Sequence, residues 1–466
     1  MTEQQRVLLI KPYYNTANKY YAPPLGVLYL ASYLRRRKNI DVRIIHMAPA
    51  NIQYEDIESE IKAYQPSWLG ISALSFESKG LHQIALIAKQ IQPDLPVVVG
   101  GPYPSSYTEQ VMADLNIDYA VLGEGELTTD ELSCALNDHR PVDHIDGLAW
   151  RENGVLRINP RERYIEDVDE LPFPAWDLID IGSYKAFDRM SRIGTKNYIG
   201  IFTSRSCPFQ CIYCHKMFGK GFRKRSPENV LKEIKMLYNQ YNVREFEIID
   251  DCFNLDLTRA KRIFDLIIES GMKLRIMFPN GIRGDHLDEE FLSKGRQAGV
   301  VYMSFAIETA SPRLQKMIRK NVDLQKIAAN IALAGKYHIL TLGFFMLGFP
   351  TETSEELQAT IDFAVRSKLH AVNFFAVTPF EGTELATMAK EMGKPVFSNF
   401  DSAFMSNCFT NLTDIPDKKL KWLRQRGLIK FWLSPTRIWA IVRDYPDKTR
   451  LPYLFIALIK RLLLKF

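Results

Sequence analysis

Residues 198–214 read Tyr-Ile-Gly-Ile-Phe-Thr-Ser-Arg-Ser-Cys-Pro-Phe-Gln-Cys-Ile-Tyr-Cys. The stretch opens with an apolar run that predicts a strand and ends with three cysteines, Cys207, Cys211 and Cys214. Three thiolates at this spacing can ligate three irons of a four-iron four-sulfur cluster and leave the fourth iron open. A structural zinc site is the alternative, but it wants four ligands, and His215 adjoins Cys214 too closely for easy joint chelation. The stretch therefore predicts an iron–sulfur centre in the loop after a strand.

Six steps of strand and helix begin at this point. The predicted strands are 198–204, 245–250, 273–278, 301–307, 339–346 and 371–377. The predicted helices between them are 227–240, 257–270, 288–298, 324–337 and 354–367. This alternation indicates a partial or full parallel barrel, in which the chemistry takes place at the carboxyl ends of the strands. The three cysteines lie at such an end.

The first 140 residues contain a second alternation. Its predicted strands are 7–11, 42–47, 69–75, 97–100 and 119–122, and its helices are 25–37, 57–64, 81–92, 109–115 and 127–136. The pattern predicts a doubly wound, Rossmann-like parallel sheet that binds its ligand at the carboxyl ends of the strands. The loops there contain Pro12, Ser72, Gly100, Gly101, Gly123 and Glu124. None has a dinucleotide or P-loop fingerprint, so a usual nucleotide cofactor is disfavoured.

The predicted organisation is an α/β chain of four regions. Residues 1–140 form the Rossmann-like domain and residues 196–390 form the barrel. Residues 141–195 are a linker with a hairpin around Glu152-Asn153-Gly154 and a proline-rich segment, because dense prolines cannot continue a helix or a central strand. Residues 391–466 are a helical region that is both basic and apolar.

Composition indicates a cytoplasmic protein. No apolar run reaches the roughly 18 residues of a membrane span, and the polar start lacks the layout of a secretory signal. Cys134, Cys252 and Cys408 are expected to be ordinary thiols. Residues 418–466 contain 13 Lys or Arg against 2 acidic residues, so the net charge of +6 belongs to the tail. An anionic partner is expected there.

The cysteine motif, with Tyr213 before its third cysteine, resembles that of the radical S-adenosylmethionine superfamily. Residues 343–353 closely match the fifth-strand signature of that family, and residues 379–385 resemble its Pro-Gly-Thr segment. The resemblance implies a [4Fe-4S] cluster on the three cysteines, with S-adenosylmethionine chelating the open iron. It places these residues around that cofactor: Tyr213, Asp250, Asp251, Glu308, Gly343 and Gly348. Packing for the tyrosine, helix caps for the acids and a plain turn for the glycines are the alternatives.

The joint arrangement, with Pro23-Pro24-Leu25-Gly26 and Gly123-Glu124-Gly125-Glu126 in the first domain, resembles the cobalamin-binding radical enzymes over about 390 residues. One departure is Tyr103, which stands where the family usually has the histidine of Gly-Gly-Pro-His-Pro. The domain also lacks the Asp-x-His-x-x-Gly stretch that places a histidine under cobalt in other cobalamin proteins. The resemblance implies cobalamin without a histidine on its lower face, which favours alkyl transfer to a carbon radical. A scaffold that has lost its ligand is the alternative.

The expected reaction is methylation of an unactivated carbon in a small hydrophobic molecule such as a lipid, isoprenoid or tetrapyrrole. Ring closure, oxidation or carbon–carbon coupling with the same cofactors, as in the anaerobic tetrapyrrole cyclases, is a second interpretation. A non-catalytic iron–sulfur or cobalamin sensor is a third. The resemblance also implies an electron donor such as flavodoxin or ferredoxin.

The C-terminal tail has two open interpretations. Residues 451–466 are strongly apolar with basic residues near the end, and they suit a helix in the interface of an anionic membrane. Trp422, Trp432 and Trp439 would then be interfacial anchors on the inner face of the membrane. The alternative is a helix that packs on the barrel and closes its open side. Nucleic acid is disfavoured, because the basic residues are confined to this mixed tail.

Overall fold

The structure, a computed structural model, describes residues 4–13, 21–187, 189–191, 193, 198–215, 217–219, 221–397, 410–452 and 456. The chain forms two compact units. Unit 1 comprises Met1–Asp188, Lys216–Lys224 and Asn399–Asp401, and unit 2 comprises Arg189–His215, Arg225–Ser398 and Ser402–Phe466. Cys408 and most of the predicted tail helix lie outside the described residues.

Unit 1 contains the doubly wound parallel sheet. Its parallel strands are β1 (Gln5–Lys11), β2 (Ile40–His46), β3 (Trp68–Ser72), β4 (Val97–Gly100) and β5 (Tyr119–Val121), in the order β2-β1-β3-β4-β5. The helices are α1 (Leu25–Leu34), α2 (Met47–Ala50), α3 (Tyr54–Tyr64), α4 (Ser78–Ile91), α5 (Pro102–Ser106), α6 (Thr108–Met112) and α7 (Glu126–Asn137). The β-branched strands are almost wholly buried, as expected for a sheet covered on both faces.

The predicted hairpin belongs to this sheet. β6 (Leu148–Glu152) pairs antiparallel with β5, and β7 (Val155–Ile158) pairs antiparallel with β6. Leu148 and Trp150 are buried in the same apolar cluster as the parallel strands. The hairpin thus extends the sheet of unit 1 to seven strands, whereas the sequence analysis assigned it to a linker.

Unit 2 contains six parallel strands in chain order. They are β8 (Tyr198–Ile201), β11 (Glu245–Ile248), β12 (Arg275–Ile282), β13 (Val300–Glu308), β14 (Leu340–Leu347) and β15 (Ala371–Ala376). Two further strands have two residues each, β9 (Ser204–Arg205) in unit 2 and β10 (Arg223–Lys224) in unit 1. Within the described residues β8 and β15 each have one neighbour in the six-stranded sheet, so the barrel is partial. The predicted α/β fold class is confirmed.

Most helices of unit 2 begin where a short polar side chain caps them, whereas α15 and α16 have no side-chain cap. They are α8 (Pro227–Gln240), α9 (Leu257–Glu269), α10 (Glu289–Ala298), α11 (Pro312–Met317), α12 (Leu324–Lys336), α13 (Ser354–Arg366), α14 (Glu384–Glu391), α15 (Asp417–Trp432) and α16 (Pro435–Asp444). The side chains of Ser226, Asp256, Asp288, Asp323 and Thr353 accept hydrogen bonds from the first turns that follow them. These caps explain why most predicted helix starts agree with the structure.

The C-terminal helices pack on the barrel. Leu420, Leu423, Gly427 and Phe431 form the buried side of α15, and a side chain at Gly427 would collide with Ile361 of α13. Asp444, at the end of α16, accepts hydrogen bonds from His338 Nδ1 at 2.7 Å and His370 Nε2 at 2.9 Å. No helix in the described part of the chain has the length and apolarity needed to cross a membrane.

Candidate active site

The cysteine loop is tied to the second barrel strand through Asp250. Its carboxylate accepts hydrogen bonds from Thr203 N at 2.6 Å, Thr203 Oγ1 at 2.5 Å and Ser204 Oγ at 2.6 Å. This tether turns the chain inward after Ile201, which is why β8 ends there and not at the predicted Ser204. Asp250 was predicted to bind the cofactor. In the structure its two carboxylate oxygens hold the start of the cysteine loop, and a contact with the cofactor stays a prediction.

Asp251, the next residue, is exposed, whereas Asp250 is buried. Desolvation by the surrounding protein and the charge of Asp250 raise the pKa of Asp251 to about 6, although the Ser206 N–H donates to it. The structure therefore separates two acidic neighbours that the sequence analysis treated alike, and it leaves Asp251 available to a ligand.

The thiols of the loop form two hydrogen-bonded pairs. A hydrogen bond from Cys252 lowers the pKa of Cys207 to about 7, and one from Cys214 lowers the pKa of Cys211 to about 6. Cys252 was expected to be an ordinary thiol, but it directly neighbours a predicted ligand. The thiolate is the form that binds metal, so the two depressed pKa values suit ligation. No three His, Cys, Asp or Glu side chains of the described residues converge on the position of a single metal ion.

A buried ion pair stands beside the cysteines. Glu308, the last residue of β13, is 7% exposed, and its carboxylate lies 3.5 Å from Lys320 Nζ. Burial opposes the charge on Lys320, but Glu308 and the Cys211 and Cys214 thiols raise its pKa. Glu308 also has a φ of 68°, which is uncommon for a residue with a side chain. Backbone strain of this kind concentrates at functional sites.

A second cation, Arg283, lies beside the cysteine loop and directly follows strand β12. Its guanidinium lies 4.0 Å from the centre of the Phe209 ring, between Cys207 and Cys211 in sequence. Its Nη1 atom is buried and has no hydrogen-bond partner. Lys320 and Arg283 were missed by the sequence analysis, because neither belongs to a motif and only the fold brings them to the loop.

Tyr213 lies over the fifth-strand signature. Its ring centre is 6.2 Å from that of Phe349, and its buried hydroxyl lies near Glu308 and the Cys211 thiol but makes no hydrogen bond of good geometry. Gly348 has a φ of 104°, which explains the glycine there. Its N–H and that of Phe349 donate to Glu352 Oε2 at 2.6 and 3.1 Å. Glu352 Oε1 is buried without a partner, and burial raises the pKa of this carboxyl to about 7.

Gly343 has a packing role in the structure. A Cβ atom there would lie 2.5 Å from Leu369 and 2.7 Å from Phe345. The sequence analysis attributed this glycine to close approach of the adenine, but its free space is filled by neighbouring side chains.

Residues 379–385 are joined to the cysteine loop by two hydrogen bonds. His215 Nε2 donates to the Glu381 carbonyl at 2.8 Å, and this bond fixes the orientation of the histidine ring. Leu385 N donates to Ile212 O at 3.0 Å. The role of the segment was left open by the sequence, and in the structure it positions the loop.

The donor set of unit 2 fits the implied cofactors. Three thiols stand in one loop with a cation beside them, which suits an anionic cluster. Three buried polar atoms without partners, on Tyr213, Arg283 and Glu352, lie in and around the elements that hold this loop. A polar ligand such as S-adenosylmethionine would satisfy groups of this kind.

In unit 1 the loops after three strands are linked by hydrogen bonds. Gly101 has a φ of 93°, and a Cβ atom there would lie 3.0 Å from both Ala73 O and Ser72 Oγ. Ser105 Oγ donates to Gly101 O at 2.9 Å and accepts from Gly123 N at 3.0 Å. Gly100 O accepts from Ala73 N at 3.0 Å. The predicted residues Ser72, Gly100, Gly101 and Gly123 are thus brought together at one edge of the sheet.

Two arginines fix the Gly-Glu-Gly-Glu loop. Glu124, 5% exposed, receives two hydrogen bonds from Arg223, at 3.0 Å to Oε2 and 2.5 Å to Oε1. Arg161 Nη2 donates to Glu124 O at 2.5 Å, and its Nε donates to Leu122 O at 3.0 Å. The carboxylate of Glu124 is therefore engaged within unit 1, and the residue shapes the loop.

Tyr103 is anchored in the protein. Its side chain is 1% exposed, and its hydroxyl lies 3.3 Å from His82 Nε2, while His82 Nδ1 donates to Asp114 at 2.7 Å. Burial raises the pKa of Tyr103 to about 12. The tyrosine that replaces the family histidine thus binds α4. Pro12 is also buried, and Gly80 of α4 is its close neighbour.

His46 is a histidine that the sequence analysis did not select. It ends β2, is 5% exposed, and binds the Tyr184 hydroxyl through Nδ1 at 2.9 Å. Its Nε2 atom is buried without a partner, and burial together with Lys11 lowers the pKa of His46 to about 3. Lys11 in turn pairs with the buried Glu77. A neutral, unpartnered nitrogen at the carboxyl edge of the sheet fits a site for an amide-bearing ligand such as cobalamin.

Comparisons with known proteins match both units. A profile of the B12 binding domain matches residues 14–133, and one of the radical SAM superfamily matches residues 201–364. The chain is 33% identical over 437 residues to an uncharacterized methyltransferase of Pyrococcus horikoshii, spanning 92% of this chain and 93% of that protein. It is 26% identical over 389 residues to the anaerobic magnesium-protoporphyrin IX monomethyl ester cyclase of Rubrivivax gelatinosus, spanning 82% and 69%.

A solved structure shares the fold. The radical S-adenosylmethionine methyltransferase TsrM from Kitasatospora setae, with tryptophan substrate and an S-adenosylmethionine analog bound, has a TM-score of 0.72 at 17% identity. The match covers 93% of this chain and 89% of that one. The predicted family and the cofactor set of cobalamin, [4Fe-4S] cluster and S-adenosylmethionine are confirmed by these domains, while the roles of individual residues stay predictions. The chain belongs to the cobalamin-dependent radical S-adenosylmethionine enzymes, the family of methyltransferases and tetrapyrrole cyclases.

Proposed function

We propose that this enzyme methylates an unactivated carbon of a hydrophobic small molecule by radical chemistry. The observation that carries the proposal is the three-cysteine loop beside the Glu308–Lys320 pair, in a chain that also has a B12 binding domain. When bound, the cluster supplies the electron that cleaves S-adenosylmethionine to the 5′-deoxyadenosyl radical, and cobalamin supplies the methyl group. Methyl transfer is favoured because the Pyrococcus horikoshii relative, which matches 92% of this chain, is called a methyltransferase.

The residues of unit 2 have separate tasks in this proposal. Cys207, Cys211 and Cys214 hold the cluster, and Asp250 fixes the start of their loop. Lys320 balances the anionic charge of the thiolates, and with Glu308 it presents one cation and one anion to the amino-acid end of S-adenosylmethionine. Tyr213, Asp251 and Gly348 face the rest of that cofactor. The buried apolar side chains of Ile212, Phe349 and Leu385 exclude water from the loop.

In unit 1 the binding surface is formed mainly by backbone. Ser72, Gly100, Gly101 and Gly123 offer an edge with little side-chain bulk, and Pro12 precedes it on the first strand loop. Arg223 and Arg161 keep the Gly-Glu-Gly-Glu loop in place. In the proposal, His46 Nε2 contacts a polar group at the rim of cobalamin.

Ring closure is the second candidate reaction. The relative from Rubrivivax gelatinosus is a cyclase of magnesium-protoporphyrin IX monomethyl ester, and the match spans 82% of this chain. That name also supports a hydrophobic substrate, since the tetrapyrrole is a large, mainly apolar ring system. We also propose that a one-electron donor such as flavodoxin or ferredoxin reduces the cluster. In addition, we propose that the protein contacts the inner face of a membrane peripherally.

The test of the radical step uses anaerobically reconstituted protein, S-adenosylmethionine and dithionite. We expect 5′-deoxyadenosine from the wild type and none from Cys207→Ala. Cys134→Ala, which changes a free cysteine of unit 1, is the matched control and should keep the activity. No 5′-deoxyadenosine from a protein with full cluster content would favour the sensor instead.

The test of methyl transfer follows the label. The organism is grown with methyl-labelled methionine, with and without the gene, and its lipids and pigments are compared by mass spectrometry. A compound that is lost on deletion and that carries the label supports methylation. A lost compound without the label supports cyclisation.

A further inference from the structure

Helices α15 and α16 expose large apolar side chains at closely spaced positions in the chain. The described part of the chain exposes 13 such side chains, and five of them lie within residues 422–439. Trp422 is 55% exposed, Leu433 is 73% exposed and Trp439 is 68% exposed. Trp422, Ile429 and Leu433 are spaced by seven and four residues, which places them on one side of a helix. Clustered exposure of this kind marks an interaction surface, whereas scattered exposure does not.

This exposed side is not the side that packs on the barrel. The opposite side of α15 is buried and consists of Leu420, Leu423, Gly427 and Phe431. Trp432, which the sequence analysis grouped with the two exposed tryptophans, lies against Phe431 with ring centres 5.3 Å apart. One side of α15 therefore packs on the barrel, and the other side has no covering element among the described residues.

Helix α15 also carries exposed positive charge. Its exposed basic residues are Lys418, Lys419, Lys421, Arg426 and Lys430, of which Lys430 is paired with Asp362 of α13 at 3.1 Å. The Arg426 guanidinium lies 5.1 Å from the centre of the Trp422 ring. Two acidic residues belong to these helices, and one of them, Asp444, is buried and bound by His338, His370 and Arg443. The five exposed basic residues, together with Trp422, Ile429, Leu433, Ile438 and Trp439, form a surface that we call the basic–apolar face.

We infer that the basic–apolar face binds the surface of a membrane that contains anionic lipids. Lysine and arginine are attracted to lipid phosphates, while tryptophan prefers the headgroup region, where its ring is apolar and its N–H is hydrated. A second copy of the face would meet like charge, which opposes self-association through this surface. The inference rests on the membrane contact of the proposed function and not on its reaction.

The first experiment measures flotation of the full-length holoprotein with vesicles. One set is phosphatidylcholine alone, and the other has equal parts of phosphatidylcholine and phosphatidylglycerol. We expect binding to the anionic vesicles that weakens as salt rises, because salt screens exposed charges. Equal binding to both vesicles, or none to either, overturns the inference.

Variants locate the contact. Trp422→Ser with Trp439→Ser, and separately Lys418→Gln with Lys419→Gln and Lys421→Gln, should each lower the vesicle partition coefficient about tenfold or more. Leu115→Ser, which is 78% exposed in unit 1, is the apolar control, and Lys232→Gln with Lys235→Gln on α8 is the charge control. Both controls should bind like the wild type.

Two further outcomes contradict the inference. Loss of binding on truncation after Pro452, with no effect of the face variants, assigns the contact to the remaining tail. A dimer by light scattering that Trp422→Ser abolishes assigns the face to a second copy. Because flotation needs no reductant or substrate, its failure is distinct from failure of 5′-deoxyadenosine formation, which the same variants should retain.

Discussion

The carboxyl edges of the two sheets are built in opposite ways. In unit 2 the edge carries charged and reactive side chains, with Glu308, Lys320 and Arg283 crowded near three thiols. In unit 1 it carries glycine and serine, and its charged groups are bound to other protein groups, as Glu124 is to Arg223. From this difference we expect unit 2 to act through side-chain chemistry and unit 1 to bind its ligand through the shape of its backbone.

Replacement of a cluster ligand should have the largest effect. We expect Cys211→Ala to lose the iron and sulfide of the cluster and to reduce 5′-deoxyadenosine formation to the background rate, because three thiolates are needed to hold the cubane. Iron and sulfide analysis and absorption spectra measure the first effect. Cys134→Ala is the control, and a Cys211→Ala protein with full iron content would contradict the assignment.

Removal of Arg223 tests the other side of the comparison. Arg223→Met leaves Glu124 buried without its partner, which should cost about 4 kcal/mol of the stability of unit 1. Cobalamin binding should weaken with it, while iron content is retained. Denaturant unfolding and equilibrium dialysis with hydroxocobalamin measure the two effects. Arg163→Met removes an exposed arginine that pairs with Glu131 and is the control.

The pH dependence of stability tests the buried Glu352. Its pKa of about 7 in the folded protein lies above the ordinary value of 4.5, so the folded state holds a proton that the unfolded chain releases. The contribution of Glu352 to the free energy of unfolding therefore falls by ~3 kcal/mol as the pH rises from about 4.5 to about 7. Glu352→Gln keeps an oxygen for the Gly348 and Phe349 N–H groups and has no charge to bury.

The measurement compares the free energies of unfolding of wild type and Glu352→Gln at pH 5 and pH 8. We expect the variant to gain stability relative to the wild type at the higher pH. Subtracting the wild-type value from the variant value at each pH cancels the contributions of the other titrating groups. The charged neighbours of Glu352 are Glu356 and Arg313. A difference that is independent of pH would show that the folded carboxyl is already ionised at pH 5.

The smallest expected effect concerns Tyr103. Tyr103→Phe removes the hydroxyl beside His82 and should cost about 1 kcal/mol, since one neutral hydrogen bond is lost. Cobalamin affinity should stay unchanged if the side chain serves only as an anchor. Dialysis measures the affinity, and a clear loss would mean that the tyrosine has taken over a ligand contact from the family histidine.

The sequence predicted the order of the elements because the apolar periodicity is local. It also predicted the cysteine loop, whose three ligands lie in one short motif. It could not separate Asp250 from Asp251, since only the fold turns one carboxylate toward Thr203 and leaves the other exposed. Lys320 and the partner of Glu124 were missed for the same reason, because contacts across 12 and 99 residues leave no local signature.

The position of Arg223 has a consequence for biosynthesis. Unit 1 consists mostly of the first 188 residues, yet it includes Lys216–Lys224, and the partner of Glu124 lies 99 residues farther along the chain. A ribosome must therefore release the cysteine loop before the amino-terminal unit can finish folding. Until then Glu124 is an unpaired acid in a nearly complete domain, so the first half should reach its full stability only after residue 224 has left the ribosome.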